Sequence, residues 1–265
     1  MGLMSGKRGL VMGVANDHSI AWGIAQTLSA YGAELAFTYQ GAALGKRVIP
    51  LANGLGSTLV LPCDVEDISS VDSVFAALNS EWSTLDFVVH CIGYSARSEL
   101  RGRYADTTRE NFVRTMVISV FSFTEIAKRA ALLMPNGGAM LTLTFGGATR
   151  VMPNYNVMGV AKAALEASVR YLAADFGPAG IRVNAISAGP IRTLAGAAIG
   201  DARLMFNFQR EHAPLRRTAT IEDVGGSALY LLSGLSSGVT GEVHFVDSGY
   251  NIISMPRPED IKSSE

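Results

Sequence analysis

The sequence predicts an α/β protein: one doubly wound parallel sheet of about seven strands with helices on both faces. Three observations lead there. Short apolar runs alternate with longer segments of helical period along the whole chain. The runs are apolar without strict alternation, which implies burial on both faces of a sheet. The 265 residues are 48% hydrophobic, enough for one large core, so one domain over 1–265 is expected.

Gly9–Gly13 reads as the first buried strand. A helix follows from Ser19 to Tyr31, with Ser19 as its N-cap and Gly32 as its stop. Leu35–Tyr39, Thr58–Leu61, Phe87–Cys91, Met140–Thr144, Ile181–Ile186 and Val243–Val246 read as the remaining strands. Helical patterns lie near 68–80, 108–133, 156–175 and 221–232. Helical crossovers return the chain to the same end of the sheet, so the strands should be parallel. A ligand would then lie beyond their carboxyl ends, at the point where strand order reverses. The polar tail from Ser254 to Glu265 is expected to be loosely held.

Composition excludes several classes. The net charge is -1, so nothing advertises nucleic acid or an anionic membrane. No run reaches the ~18 apolar residues of a membrane helix. The start, Met1 to Arg8, lacks the pattern of a signal peptide, and a cytoplasmic location is expected. Cys63 and Cys91 close predicted strands and read as small core residues. His18, His90, His212 and His244 have no ligand spacing, so no metal site is expected.

Candidate site residues sit just after the strands. Gly13 suits a tight turn off the first strand, and Ser19, Ile20 and Ala21 open the next helix. Free amides and the positive end of a helix dipole there suit a pyrophosphate, to which the Ser19 hydroxyl could add a donor. An ordinary strand–loop–helix connection fits that segment equally well. Gln40 ends the second strand with no cation beside it, which favours NADH over a cofactor bearing a 2′-phosphate. Asp64 and Val65 follow the third strand. They could flank an adenine, although a plain helix cap at Asp64 is the more ordinary reading. Ile92 and Gly93 follow the fourth, where glycine permits close approach of a dinucleotide. Tyr155 and Lys162 are seven residues apart, two helical turns, so both face one side about 10 Å apart along the axis. A tyrosine there can donate to a substrate oxygen. A lysine beside it favours the phenolate and can hold ribose hydroxyls.

Tyr-x6-Lys, with glycine rather than lysine at 159, departs from the Tyr-x-x-x-Lys of short-chain dehydrogenases acting on alcohols and ketones. Pro153 to Gly159, Val183 to Thr193 and Gly13-x5-Ser19-Ile20-Ala21 together resemble the bacterial NADH-dependent enoyl-acyl-carrier-protein reductases, over about residues 7–253. The resemblance implies a Rossmann-type fold and reduction of a trans-2-enoyl thioester on an acyl-carrier protein, the last step of fatty acid elongation. It makes Tyr155 the catalytic tyrosine and Lys162 the ribose-binding lysine. It lines NADH with Gly13, Ser19, Ile20, Gln40, Asp64, Val65, Ile92 and the segment Ile191, Arg192, Thr193, Leu194, Ala195. It puts Ser95 in the substrate pocket and a mobile cover near 192–210, where Met205, Phe206 and Phe208 suit an apolar lining or plain packing. It implies a homotetramer, in keeping with the apolar helical patterns near 112–133 and 156–175. One departure is Phe145, where many members carry a second tyrosine; a proton donor at 145 is excluded. Two other readings compete: a carbonyl or hydroxyl dehydrogenase on the same fold, and a catalytically idle NAD-binding module.

Overall fold

The computed structural model describes residues 2–193 and 202–255; Leu194, Ala195 and most of the tail lie outside the described residues. The element order is β1 (Arg8–Met12), α1 (Ile20–Ala30), β2 (Glu34–Tyr39), α2 (Gly41–Gly54), β3 (Val60–Pro62), α3 (Ile68–Trp82), β4 (Phe87–His90), α4 (Arg109–Met116), α5 (Ser122–Leu132), β5 (Gly138–Thr144), α6 (Asn156–Phe176), β6 (Ile181–Ala188), α7 (Ala202–His212), α8 (Ile221–Leu232) and β7 (Val243–Val246).

The seven strands form one sheet in the order β3-β2-β1-β4-β5-β6-β7, and every neighbouring pair is parallel. The chain winds outward from β1 to β3, then crosses back to place β4 on the other side of β1. The crevice between the carboxyl ends of β1 and β4 is therefore the switch point where such sheets bind ligands. Successive strand residues feed opposite cores. Leu10, Met12, Val88 and Met140 pack with side chains of α3, α5 and α6. Val11, Phe87, Val89 and Leu141 pack with α1, α2 and α8. That arrangement is the Rossmann-type layering expected from the apolar runs. On one face α1 and α8 approach closely: a Cβ at Gly23 would lie 2.7 Å from the Ile221 carbonyl oxygen.

Four local readings need correction. The third strand begins and ends later than Thr58–Leu61, at Val60–Pro62. The helix α2 falls in a stretch without a readable helical pattern, because Gly41, Gly45, Pro50 and Gly54 interrupt it. Its formation is decided by the tertiary burial of Gly45, Val48 and Ala52. The helix read near 108–133 runs unbroken over Arg109–Leu132, but a π-helical turn at Val117–Phe121 joins α4 to α5. Ser19 occupies the N-cap position of α1, but its side chain makes no capping hydrogen bond. Gly32 does terminate that helix, with φ at +96° in the left-handed region.

Candidate active site

The turn after β1 is shaped by backbone. Gly13 has φ at +95°, and a Cβ there would sit 2.1 Å from the Cys91 carbonyl oxygen. Only glycine lets the end of β1 lie this close to the end of β4. The Ser19 hydroxyl closes the loop on itself. It accepts from the amides of Ala15 and Asn16, both at 3.0 Å, and donates to Asn16 Oδ1 at 3.2 Å. It thus serves the loop rather than the helix. The first amides of α1, at Ile20 and Ala21, have no acceptor within the helix, and the positive end of the helix faces the same turn.

Gln40 and Asp64 stand together at the ends of β2 and β3. Gln40 Nε2 donates to Asp64 Oδ2 at 3.1 Å, which leaves the amide oxygen of Gln40 as an acceptor. Asp64 Oδ1 accepts from the Glu66 amide at 3.0 Å. The cap of α3 is Asp67, which accepts from the Ser69 amide, so the helix-cap reading of Asp64 is set aside. Val65 is buried, and Ile92 packs against the apolar layer of α3, α5 and α6.

Beyond β5 the site is made of buried side chains. Asn154 and Asn156, with φ at +57° and +35°, flank Tyr155 and bend the chain into α6. Asparagine tolerates this left-handed backbone better than most residues. Tyr155 is 7% exposed, packed with Leu100, Met152 and Met158. The Phe145 ring meets it edge-on, 5.0 Å between centroids. Burial raises the Tyr155 phenol well above its ordinary pKa, so it is a proton-bearing donor at neutral pH. Two glycines make room for it. A Cβ at Gly147 would lie 2.5 Å from Tyr155 Cδ1, and one at Gly159 would lie 2.8 Å from the Gly147 carbonyl oxygen. Position 159 therefore has no space for the lysine of a Tyr-x-x-x-Lys pattern.

Lys162 is 8% exposed and donates to the Leu143 carbonyl at 2.8 Å. Its ammonium lies 3.8 Å from the point where a Gly93 side chain would begin. Burial pulls its pKa down to about 8, while Cys91 and Glu166 alongside oppose the shift. An ammonium has three N–H groups, and among the described residues one acceptor is in reach. The ammonium thus has donors to spare beside Gly93, just after β4. The Glu166 carboxyl, pushed up by burial, accepts from Thr144 Oγ1 at 2.7 Å. Lys162 and Glu166 thus grip consecutive residues of β5, just before Phe145.

Ser95 lies in the segment after β4, where its hydroxyl accepts from Asn111 Nδ2 at 3.1 Å; Asn111 Oδ1 also accepts from the Ala96 amide at 2.9 Å. Asn156 Nδ2 donates to the Glu99 and Gly102 carbonyls at 3.1 and 3.3 Å, tying that segment to the tyrosine. After β6, Ile191 packs on the α1–α8 layer, and the Arg192 guanidinium lies 4.7 Å from the Phe206 ring centre. Phe208 on α7 stacks on His212 at 4.0 Å. Sequence reading missed Asn111, Ser119, Asn156 and Glu166. Asparagines on both sides of Tyr155 were a usable signal for the left-handed turn; the others carry no mark in a single sequence.

A switch-point crevice with a glycine turn, a buried tyrosine and a buried lysine defines a nicotinamide-dependent oxidoreductase of the short-chain class. The closed position 159 separates it from the alcohol and ketone enzymes of that class. The chain belongs to the enoyl-(acyl carrier protein) reductase family, whose model matches residues 13–251. It is 73% identical over 264 residues to the enoyl-[acyl-carrier-protein] reductase [NADH] 2 of Rhizobium meliloti (strain 1021), spanning 100% of this chain and 98% of that protein. The crystal structure of FabI from Candidatus Liberibacter asiaticus is 60% identical, with a TM-score of 0.95, covering 97% of this chain and 100% of that one. The enoyl-(acyl-carrier-protein) reductase of Anaplasma phagocytophilum, crystallised in complex with NAD, is 55% identical with a TM-score of 0.94, covering 97% and 98%.

Proposed function

We infer that this chain reduces the carbon–carbon double bond of trans-2-enoyl thioesters carried on acyl-carrier protein, using NADH, in the final step of fatty acid elongation. Family membership establishes the reaction class. The observation that carries it to these residues is the buried Tyr155–Lys162 pair, with position 159 closed to any side chain.

The crevice fits NADH by its own features. It has a glycine turn that admits no Cβ, unspent amides at the start of α1, a buried ammonium with donors to spare, and Gln40 paired with the Asp64 carboxylate, whose charge disfavours a 2′-phosphate. Gly13, Ser19, Ile20, Gln40, Asp64, Val65, Ile92, Lys162 and Ile191–Thr193 would hold it. When bound, NADH supplies the hydride that the β-carbon receives. Tyr155 donates a hydrogen bond to the thioester oxygen as that oxygen gains charge. Its burial keeps the phenol protonated and excludes water that would compete for the bond. Lys162 orients the ribose through charge-assisted hydrogen bonds, and its positive charge favours the developing oxyanion. Phe145 contributes shape alone: its ring backs the tyrosine and has no proton to give. The segment around Ser95 lines the acyl side, and Phe206 on α7 offers apolar cover there.

No helix among the described residues is long and apolar enough to cross a membrane. We place the functional unit as a homotetramer. Phe121, Tyr171 and Val113, which are 54%, 76% and 52% exposed, leave apolar surface on the outer faces of α4 to α6. Light scattering at micromolar concentration checks this, and a monomer would contradict it. The reaction itself is tested by following NADH absorbance with a crotonyl or longer trans-2-enoyl thioester. Consumption that depends on the thioester supports the assignment. No consumption, or consumption with simple ketones alone, overturns it.

A further inference from the structure

The π-helical turn at Val117–Phe121 delivers one hydroxyl to an unusual place. Ser119 is fully buried. Its Oγ accepts from the Tyr94 amide at 2.9 Å and donates to the Tyr94 carbonyl at 3.1 Å. Both backbone groups of a single residue are thereby satisfied by one side chain. Strand β4 ends at His90, so Tyr94 has no ladder partner to do this. A hydroxyl is the smallest side-chain group that both donates and accepts. The extra residue of a π turn re-aims side chains relative to a regular helix, and such turns concentrate at functional sites.

The held segment runs between the two halves of the chemistry. At its start, a Gly93 side chain would meet the Lys162 ammonium at 3.8 Å, Met158 Cε at 3.6 Å and Ser119 Oγ at 3.8 Å. At its far end, Leu100 packs into the apolar cluster around Tyr155. A substrate whose oxygen reaches Tyr155 while its β-carbon lies near the ribose must run along Tyr94–Ala96. Asn111 pins Ser95 and Ala96 from α4, and Ser119 pins Tyr94 from the π turn.

We propose that Ser119 is a positioning residue for the enoyl substrate, holding the Tyr94 peptide so that the backbone of Tyr94–Ala96 forms one wall of the thioester site. The proposal rests on the enoyl reductase reading above. Its effect should fall more on the substrate than on NADH, because the Tyr94–Ala96 peptides lie beyond Gly93, the residue that faces the Lys162 ammonium.

The test compares S119A, S119T and S119C with wild type, measuring KM and kcat for a trans-2-enoyl thioester, NADH affinity by fluorescence, and Tm. S119A removes two hydrogen bonds and is expected to raise KM about tenfold or more, with a smaller change in NADH affinity. S119T keeps both bonding functions and should restore KM toward wild type. S119C, of nearly the same volume with a weaker donor, should fall between; it also serves if S119A does not fold. Wild-type KM in S119A, an equal loss of NADH affinity, a lowered Tm with no change in KM, or a loss in S119T as large as in S119A would each overturn the proposal. An active wild type with an unaltered S119A removes this inference alone. A wild type with no enoyl turnover removes the function and this inference with it.

Discussion

The two ends of the cofactor crevice are built of different materials. At the β1 end, shape comes from the backbone. Gly13 has no room for a methyl group, and Ser19 uses its hydroxyl to fold the loop onto itself. At the β5 end, shape and charge come from buried side chains: Tyr155, Lys162 and Glu166, set by Gly147 and Gly159. In the proposed function the first end recognises a constant ligand, for which fixed amides suffice. The second must stabilise charge that appears during the reaction, for which a buried donor is worth more than in water. Substitutions at the two ends should therefore fail in different ways.

The largest expected effect is at the side-chain end. Tyr155→Phe removes the oxyanion donor and should lower kcat for an enoyl thioester by ~10²-fold or more, with NADH binding kept. If turnover is preserved, the buried phenol is not the donor. Lys162→Met comes next. It loses charge-assisted hydrogen bonds worth ~1.5–3 kcal/mol each, so NADH affinity should drop by roughly tenfold or more. Yet it also removes a desolvated cation, so Tm without ligand should hold or rise. Gly13→Ala should separate the two ends most clearly. It forces a methyl against the Cys91 carbonyl in a left-handed conformation, strain of about 1–3 kcal/mol. Both Tm and NADH affinity should fall together, where Lys162→Met lowers only the second.

The pH dependence of Lys162 sharpens the same contrast. Its folded pKa of about 8 lies below the ordinary 10.5. Between these values the unfolded chain binds more protons, so the ligand-free protein gains stability as pH rises through that window. NADH affinity should fall over the same window as the ammonium is lost. Lys162→Met should flatten both trends; a pH titration of affinity and Tm checks it. The smallest effect is expected at Gln40. Gln40→Arg beside Asp64 should narrow the preference for NADH over NADPH by several-fold, measured as kcat/KM for each cofactor. A wild type already more efficient with NADPH would contradict the reading of Gln40.

The sheet was legible because its strands are apolar on both faces, and the residues after them followed from parallel winding. Tyr155 and Lys162 were legible as a spaced pair. What escaped depends on contacts across the fold. Helix α2 is interrupted by Pro50 and three glycines, and forms because its apolar side is covered. The π turn at Val117–Phe121 leaves no mark in the apolar period, so Ser119 looked like any helix residue. Ser19 reads as a cap from its neighbours, and only the loop geometry turns its hydroxyl back to Ala15 and Asn16. The meaning of Gly159 was half visible: its presence excluded the other spacing, and the Gly147 carbonyl at 2.8 Å gives the reason.

In the proposed reaction the hydride reaches the β-carbon of an enoyl thioester while Tyr155 binds the thioester oxygen. The most direct measurement supplies NADH dideuterated at C4 with an equimolar mixture of a trans-2-enoyl thioester and an acetoacetyl thioester, and reads the products by mass spectrometry and deuterium NMR. The expected products are a saturated thioester carrying one deuterium at C3 and an untouched acetoacetyl thioester, with the yield collapsing in Tyr155→Phe. A deuterated hydroxyacyl thioester beside intact enoyl substrate would contradict it.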